Sequence, residues 1–262
     1  MSAAFARVDG APRVRVDESD WASLVAASHV PLSGLGALSP LEAPAPGPAD
    51  PTAVEATALA LGRALVHLDV TSASGDRGLV TSLGSDGRTA AIATRALVVP
   101  DGGGAETQVA PGIELTVVGP DRLLAEIMRL VPPDVPFDAA EPDPPIVLPQ
   151  TDALVLSEAV RSGDDAVARQ IARDQGWDEV PAVLEALASQ VRANVTVALR
   201  IEGHDAVVVR RWLQSDLGWV GLAVDRTDAV HTPCTRAGMA QELLHSLTGA
   251  FETALTGAGL DG

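Results

Sequence analysis

The sequence contains no lysine and no tyrosine, and cysteine occurs once, as Cys234. A lone cysteine excludes an intramolecular disulfide and a multi-thiolate zinc site, and it is typical of proteins from a reducing compartment. No apolar run approaches the roughly 18 residues of a membrane-spanning helix, and residues 1–11 lack the apolar segment of a secretory signal. These absences predict a cytoplasmic protein without membrane insertion.

Positive charge is also scarce. The 262 residues include 18 Arg against 35 Asp and Glu, which gives a formal net charge of −17. Nucleic acids and anionic membrane surfaces select a cationic footprint, so neither is the expected partner. Apolar residues make up 47% and charged residues 20% of the chain, which is the composition of a globular protein.

Two proline-rich stretches, residues 43–50 and 131–150, predict irregular connectors because proline fixes φ and removes a hydrogen-bond donor. Between them the hydrophobic period alternates between about 3.6 and two. The pattern predicts a helix after Pro51, strands near 66–71, 79–83, 89–99 and 113–118, a hairpin turn at Asp86-Gly87, and a helix that begins at Pro120.

The second half of the sequence starts with a helical pattern over residues 151–192, interrupted near Gly163 and Gly176. Strands are predicted at 195–201, 206–213 and 219–224, followed by a helix that Thr235 caps. Each half ends with a predicted strand followed by a helix. The two strand–helix segments align when one sequence is shifted by 116 residues, as in Leu123/Met239 and Glu126/Glu242.

The pattern predicts an α+β fold of two pseudo-twofold-related units, each an antiparallel sheet with a packed helix, and a central helical insert. The expected organisation is an N-terminal half over residues 1–133, a connector over 134–150, and the helical insert with the C-terminal half over 151–262. Together they are expected to form one compact domain.

Few residues suggest catalysis. His67 and Asp69 share one face of a predicted strand, where they could act as an acid–base pair, but a polar pair on a solvated face is the more frequent case. Cys234 follows His231 just before a predicted helix, where amide dipoles could activate a thiol, but a free cysteine is more often buried. We therefore expect no enzyme, no metal site and no cofactor.

Trp212 and Trp219 flank a predicted turn, although aromatic residues make up only 3% of the chain. Tryptophan is enriched among the interface residues that contribute most of the binding energy. It is also common at the edge of a hydrophobic core. Both interpretations stay open.

Five sequence features, taken in their order along the chain, resemble those of the EspG family of type VII (ESX) secretion systems. These features are Val14–Trp21, the strand 114–118 with the helix to Pro133, the central helices, the hairpin with Gly218-Trp219-Val220, and the passage at Thr232-Pro233. The resemblance implies a fold of two sheet-and-helix units and the function of a cytosolic chaperone of PE/PPE substrates, which needs no cofactor.

The resemblance implies that the protein covers an exposed apolar helical tip of a PE/PPE-like heterodimer before export. We expect the contact among apolar residues near turns, which are Trp212, Leu213, Leu217, Trp219, Val180 and Leu184. The alternatives are a self-assembling protein of the same fold, seen as a homodimer, and an enzyme that uses His67 and Asp69 or Cys234.

Overall fold

The computed structural model describes residues 13–17, 21, 57, 59–98, 108–135 and 144–258. This part of the chain forms an α+β fold with eleven strands and five helices. It divides into two compact units. The first unit takes its described residues from Met1–Pro132, Thr196–Val209 and Ala240–Gly262, and the second from Pro133–Val195 and Arg210–Met239.

The secondary structure up to the proline-rich connector consists of six strands and a helix. They are β1 (Arg13–Val16), β2 (Val66–Ser74), β3 (Arg77–Ser85), β4 (Ala90–Val98), β5 (Gln108–Val109), β6 (Ile113–Val118) and α1 (Pro120–Arg129). Residues 57 and 59–62 are also helical.

The later part of the chain contains five strands and four helices. They are β7 (Ile146–Pro149), α2 (Gln150–Ser162), α3 (Asp165–Asp174), α4 (Ala182–Ser189), β8 (Ala193–Ile201), β9 (Val207–Ser215), β10 (Gly218–Asp225), β11 (Asp228–Cys234) and α5 (Arg236–Ala258).

Strands of the first unit follow the order β1-β6-β4-β3-β2-β8, and β5 pairs with β4. The pairs from β1 to β2 are antiparallel. On β2 buried and half-buried residues alternate from Val66 to Val70, as the sequence predicts. One face carries an apolar core that includes Val16, Trp21, Leu61 and Ile113.

Strands of the second unit follow the order β9-β10-β11-β7, again antiparallel. Because directly paired residues share a face of a sheet, the registers define its two faces. One face carries Leu213, Val220, Leu222, Ala229 and Leu148. Helices α2, α3 and α4 bury their apolar residues against this face, in a core that contains Leu148, Leu156, Ile171, Leu184, Leu187 and Val220.

Local signals in the sequence place most of the turns correctly. Asp86 accepts hydrogen bonds from the backbone N–H groups of Arg88 and Thr89, at 2.8 and 2.7 Å, in the predicted hairpin. Gly163 ends α2 with φ +72°, a left-handed conformation that glycine adopts without strain. Thr235 caps α5, because its Oγ1 accepts from the N–H of Gly238 at 3.1 Å.

Two expectations about organisation are corrected. The proline-rich connector is not wholly irregular, because it contains β7, which ends the strand order among the described residues and therefore tolerates Pro149. The two units are also not consecutive in sequence, because Thr196–Val209 and Ala240–Gly262 join the N-terminal residues. The spacing of 116 residues does hold for the element ends, since β6 and β11 end at Val118 and Cys234 and their helices begin at Pro120 and Arg236.

A cluster of four charges joins β1, β6 and α1 in the first unit. The carboxylate of Glu126, whose side chain has no exposed surface, accepts from Arg13 at 2.8 Å and from Arg129 at 3.0 Å. Glu114 accepts from the same two arginines at 2.8 and 3.0 Å. Each guanidinium therefore binds both carboxylates, and this closed arrangement offsets the desolvation of Glu126.

We expect Glu126→Ala to lower the free energy of unfolding by about 3–5 kcal/mol, because Arg13 and Arg129 lose a buried counter-charge. Glu158→Ala is the matched control, since Glu158 and Arg161 form a pair with the same i,i+3 spacing on the exposed surface of α2. That variant should lose less than about 1 kcal/mol. Urea unfolding measures both, and equal losses would contradict the role assigned to the buried cluster.

Candidate docking groove

The second unit contains an open apolar groove of about 390 Å³. Its floor is the face of the sheet that carries Leu213 and Leu222, and its walls are helices α2 and α4. The lining residues are Leu148, Gln150, Ala153, Leu154, Leu156, Ser157, Arg161, Leu184, Leu187, Ala188, Val191, Leu213, Leu222, Val224, Ala229 and His231. This volume lies within the usual range of binding pockets.

The sequence produces the groove through small side chains at the contact between helices and sheet. Leu156 on α2 and Leu184 and Leu187 on α4 are buried in the core of the unit. Ala153 and Ala188 line the space beside them, where a larger side chain would fill the gap between helix and sheet. The helices are thus anchored by their leucines and leave the sheet uncovered next to their alanines.

The rim of the groove is apolar and exposed. Leu154 is 72% exposed, Val224 62% and Val191 44%, and all three line the groove. They come from α2, β10 and the segment after α4, so three elements bring apolar surface to one opening. A contiguous exposed apolar patch with a concave centre is typical of a protein-binding surface.

The polar lining is sparse and mostly engaged. Arg161 binds Glu158 at 2.9 Å, and Gln150 donates from Nε2 to the carbonyl of Arg226 at 3.0 Å. His231, on β11, lies between apolar neighbours, and burial lowers the pKa of its imidazole. The groove can therefore hold an apolar surface, and its polar groups do not form a catalytic arrangement.

Two of the six predicted contact residues have almost no exposed surface, because Trp212 is 1% exposed and Trp219 2%. The registers place both tryptophans on the face opposite the groove, where Trp212 pairs directly with Gly221. Both tryptophans are therefore packed in the core of this structure, and a role of the six residues in partner binding stays a prediction.

The other predicted residues have mixed positions. Leu213 and Leu184 line the groove, whereas Val180 and Leu217 are half-buried outside it. Sequence analysis missed Leu154, Val191 and Val224. The uninterrupted apolar run from Ala153 to Leu156 is the signal that could have identified Leu154, because one face of an amphipathic helix cannot bury four consecutive residues.

The residues considered for catalysis have structural partners. In the first unit the carboxylate of Asp69 accepts hydrogen bonds from Ser82 Oγ and Arg200 Nη2, each at 2.8 Å. The Nε2 atom of His67 lies 3.3 Å from a carboxylate oxygen of Glu202. Cys234 is half-buried on β11 and does not line the groove. Among the described residues no three His, Cys, Asp or Glu side chains are grouped to hold a metal ion. The absence of enzymatic activity stays a prediction.

The chain has the α+β fold of a secretion chaperone of known structure. That chaperone is EspG5 of the type VII secretion system of Mycobacterium tuberculosis, solved in complex with the PE25-PPE41 dimer. The similarity has a TM-score of 0.54 and covers 93% of this chain and 96% of that one, at 14% sequence identity. No family model and no curated protein matches the sequence.

None of the helices that the structure describes combines the length and the hydropathy needed to span a bilayer.

We expect Trp219→Asp to abolish the cooperative thermal transition, because it places a carboxylate at a position that is only 2% exposed. Trp219→Phe should retain a cooperative transition, since the indole Nε1 has no hydrogen-bond partner among the described residues and the lost contacts are apolar. Circular dichroism melts measure both variants. A melt of Trp219→Asp equal to that of the wild type would contradict the burial of this residue.

The stability of the protein should fall as the pH drops below about 6.5, in part because of His231. The unfolded chain binds a proton at this imidazole near its ordinary pKa, whereas the folded protein binds it only at lower pH, so acid favours unfolding. His231→Gln is expected to reduce the loss of unfolding free energy between about pH 7.5 and pH 5.5.

Urea titrations at the two pH values measure this difference, and His245→Gln, at an exposed position on α5, is the control. An identical pH dependence in the wild type and both variants would show that His231 makes no contribution.

Proposed function

We propose that this protein is a cytoplasmic chaperone of type VII secretion, similar to the EspG proteins. In this proposal the groove of the second unit holds an exposed apolar tip of a helical PE/PPE-like heterodimer and keeps the pair soluble before export. The observation that carries the proposal is the apolar rim formed by Leu154, Val191 and Val224 around a concave centre.

The shape and composition of the groove favour a helical partner over a small molecule. An amphipathic helix or helical tip inserts a few apolar side chains into such a groove and covers its rim. Stable protein interfaces bury about 1,200–2,000 Å², which is more than a 390 Å³ groove alone can supply. The groove would therefore be the centre of the interface, with polar surface of α2 and α4 around it.

The charge around the groove restricts the partner further. Helices α2, α3 and α4 and the segments between them carry eight acidic residues against three arginines, at 161, 169 and 173. Acidic surface repels an acidic partner and accelerates association with a basic one. The preferred tip should therefore carry apolar residues at its centre and neutral or basic residues around them.

The structural comparison supports the same assignment. A chaperone with this fold has been solved in complex with a PE25-PPE41 dimer, which is a partner of the kind proposed here. At 14% identity the likeness concerns the fold, and the identity of the substrate belongs to the proposal.

Affinity purification with tagged protein tests the proposal. We expect the wild type to recover a small helical PE/PPE-like pair from the soluble lysate of its own host, identified by mass spectrometry. Leu154→Asp and Val224→Asp should each weaken binding at least tenfold, a loss of about 1.4 kcal/mol or more, because each places a charge in the apolar centre of the interface.

Leu255→Asp is the matched control, since Leu255 on α5 is as exposed as Val224, at 62%, and does not line the groove. It should recover the pair as well as the wild type does. All four proteins should show the same thermal transition. Equal recovery by the two groove variants and the control would contradict the assignment of the groove.

A further inference from the structure

An open pocket of about 310 Å³ in the first unit brings three arginines together. Arg13, Arg15 and Arg129 line it, and Glu114 is the one carboxylate among the described lining residues. The chain as a whole has a net charge of −17, so this concentration of positive side chains contrasts with the rest of the sequence. A concave site lined by guanidinium groups attracts anions.

Strand pairing explains how the polar lining of this pocket forms. Arg15 on β1 pairs directly with Glu114 on β6, and Glu114 pairs with Thr94 on β4, so the three side chains form one row across a single face of the sheet. Two further lining residues are small, namely Ala96, two positions after Thr94, and Gly112. Because they are small, the sheet face stays open next to the row, and this opening is the pocket.

The charges of the pocket do not cancel. In the cluster of four charges that joins β1, β6 and α1, two guanidinium groups balance two carboxylates. Arg15 is exposed, and its one hydrogen bond within the described part of the chain runs from Nη2 to the carbonyl of Pro111. A neutral carbonyl does not balance a charge, so the pocket keeps one uncompensated positive charge.

Hydrogen-bond donors in the pocket also lack acceptors. Arg129 is only 8% exposed. It donates from Nε to Glu126 and from Nη2 to Glu114, which leaves its Nη1 without an acceptor among the described residues. The Nε and Nη1 atoms of Arg15 are likewise without an acceptor in that part of the chain. A buried donor without an acceptor is unfavourable, and a bound anion would supply the missing acceptor.

We propose that this pocket binds the carboxylate of a small monoanionic acid. Nη1 of Arg129 and the guanidinium of Arg15 donate to the carboxylate oxygens. Leu79 and Ala96, which are directly paired on β3 and β4, contact the apolar part of the acid. A single negative charge matches the one uncompensated positive charge, and about 310 Å³ lies at the lower end of ligand pockets, so the acid is small.

The apolar lining favours a carboxylic acid over phosphate, because phosphate has no apolar part that could contact Leu79 and Ala96. The proposed site goes beyond the proposed function. The pocket and the groove share no lining residue, so either assignment can fail without the other.

Titrations followed by backbone amide resonances test the chemistry of the ligand. Butyrate and benzoate, at constant ionic strength, should give saturable shifts at Arg15, Ala96 and Gly112. Butyramide and benzamide should bind about tenfold more weakly or worse, because they lack the charge, and so should inorganic phosphate, because it lacks the apolar part. The absence of a saturable shift with either acid would overturn the proposal, and so would an amide or phosphate that binds as tightly as the acids.

Two variants test the location of the site. Arg15→Gln removes the uncompensated charge and Ala96→Leu fills the opening beside it, so each should weaken binding of the acids about tenfold or more. Both positions are exposed, so both variants should keep the thermal transition of the wild type. Arg88→Gln is the matched control, since Arg88 is an exposed arginine in the turn between β3 and β4 and does not line the pocket. If Arg15→Gln or Ala96→Leu bound the acids as tightly as Arg88→Gln does, the assignment of this pocket would be wrong.

Discussion

The central constraint of the second unit is that one sheet face, rich in apolar side chains, must be covered by three short helices. Leu156, Leu184 and Leu187 hold α2 and α4 against this face. The alanines at 153 and 188 are too small to complete the cover, and the groove is the part of the face that stays open. An exposed apolar surface of this kind promotes association with other proteins, and the proposed partner would cover both the groove and its apolar rim.

The first unit meets a similar constraint with charge as well as with apolar packing. Glu114 and Glu126 each bind both Arg13 and Arg129, which ties β1 and β6 to α1. Such a closed set of ion pairs has strict geometry, because an unpaired buried charge is strongly unfavourable. It therefore fixes the position of α1 against β1 and β6.

Local signals in the sequence predict the element order well, because turns and caps depend on neighbouring residues. Asp86-Gly87, Gly163 and Thr235 all mark the ends of elements as expected. Burial depends on distant residues. The sequence alternation of β9 shows that Trp212 and Leu213 lie on opposite faces, but only the pairing with β10 and the packing of α2 and α4 decide which face carries the groove. This is why the tryptophans were predicted as contact residues and Leu154 and Val224 were not.

The most direct test of the groove as a docking site is photo-crosslinking in the host from benzoylphenylalanine at Leu154, with the same group at Leu255 as the control position. The account predicts that Leu154 captures a helical PE/PPE-like protein through apolar residues at its tip, and that Leu255 does not. Capture of a second copy of this chain at Leu154, or the same products from both positions, would contradict the central claim that this groove receives a secretion substrate.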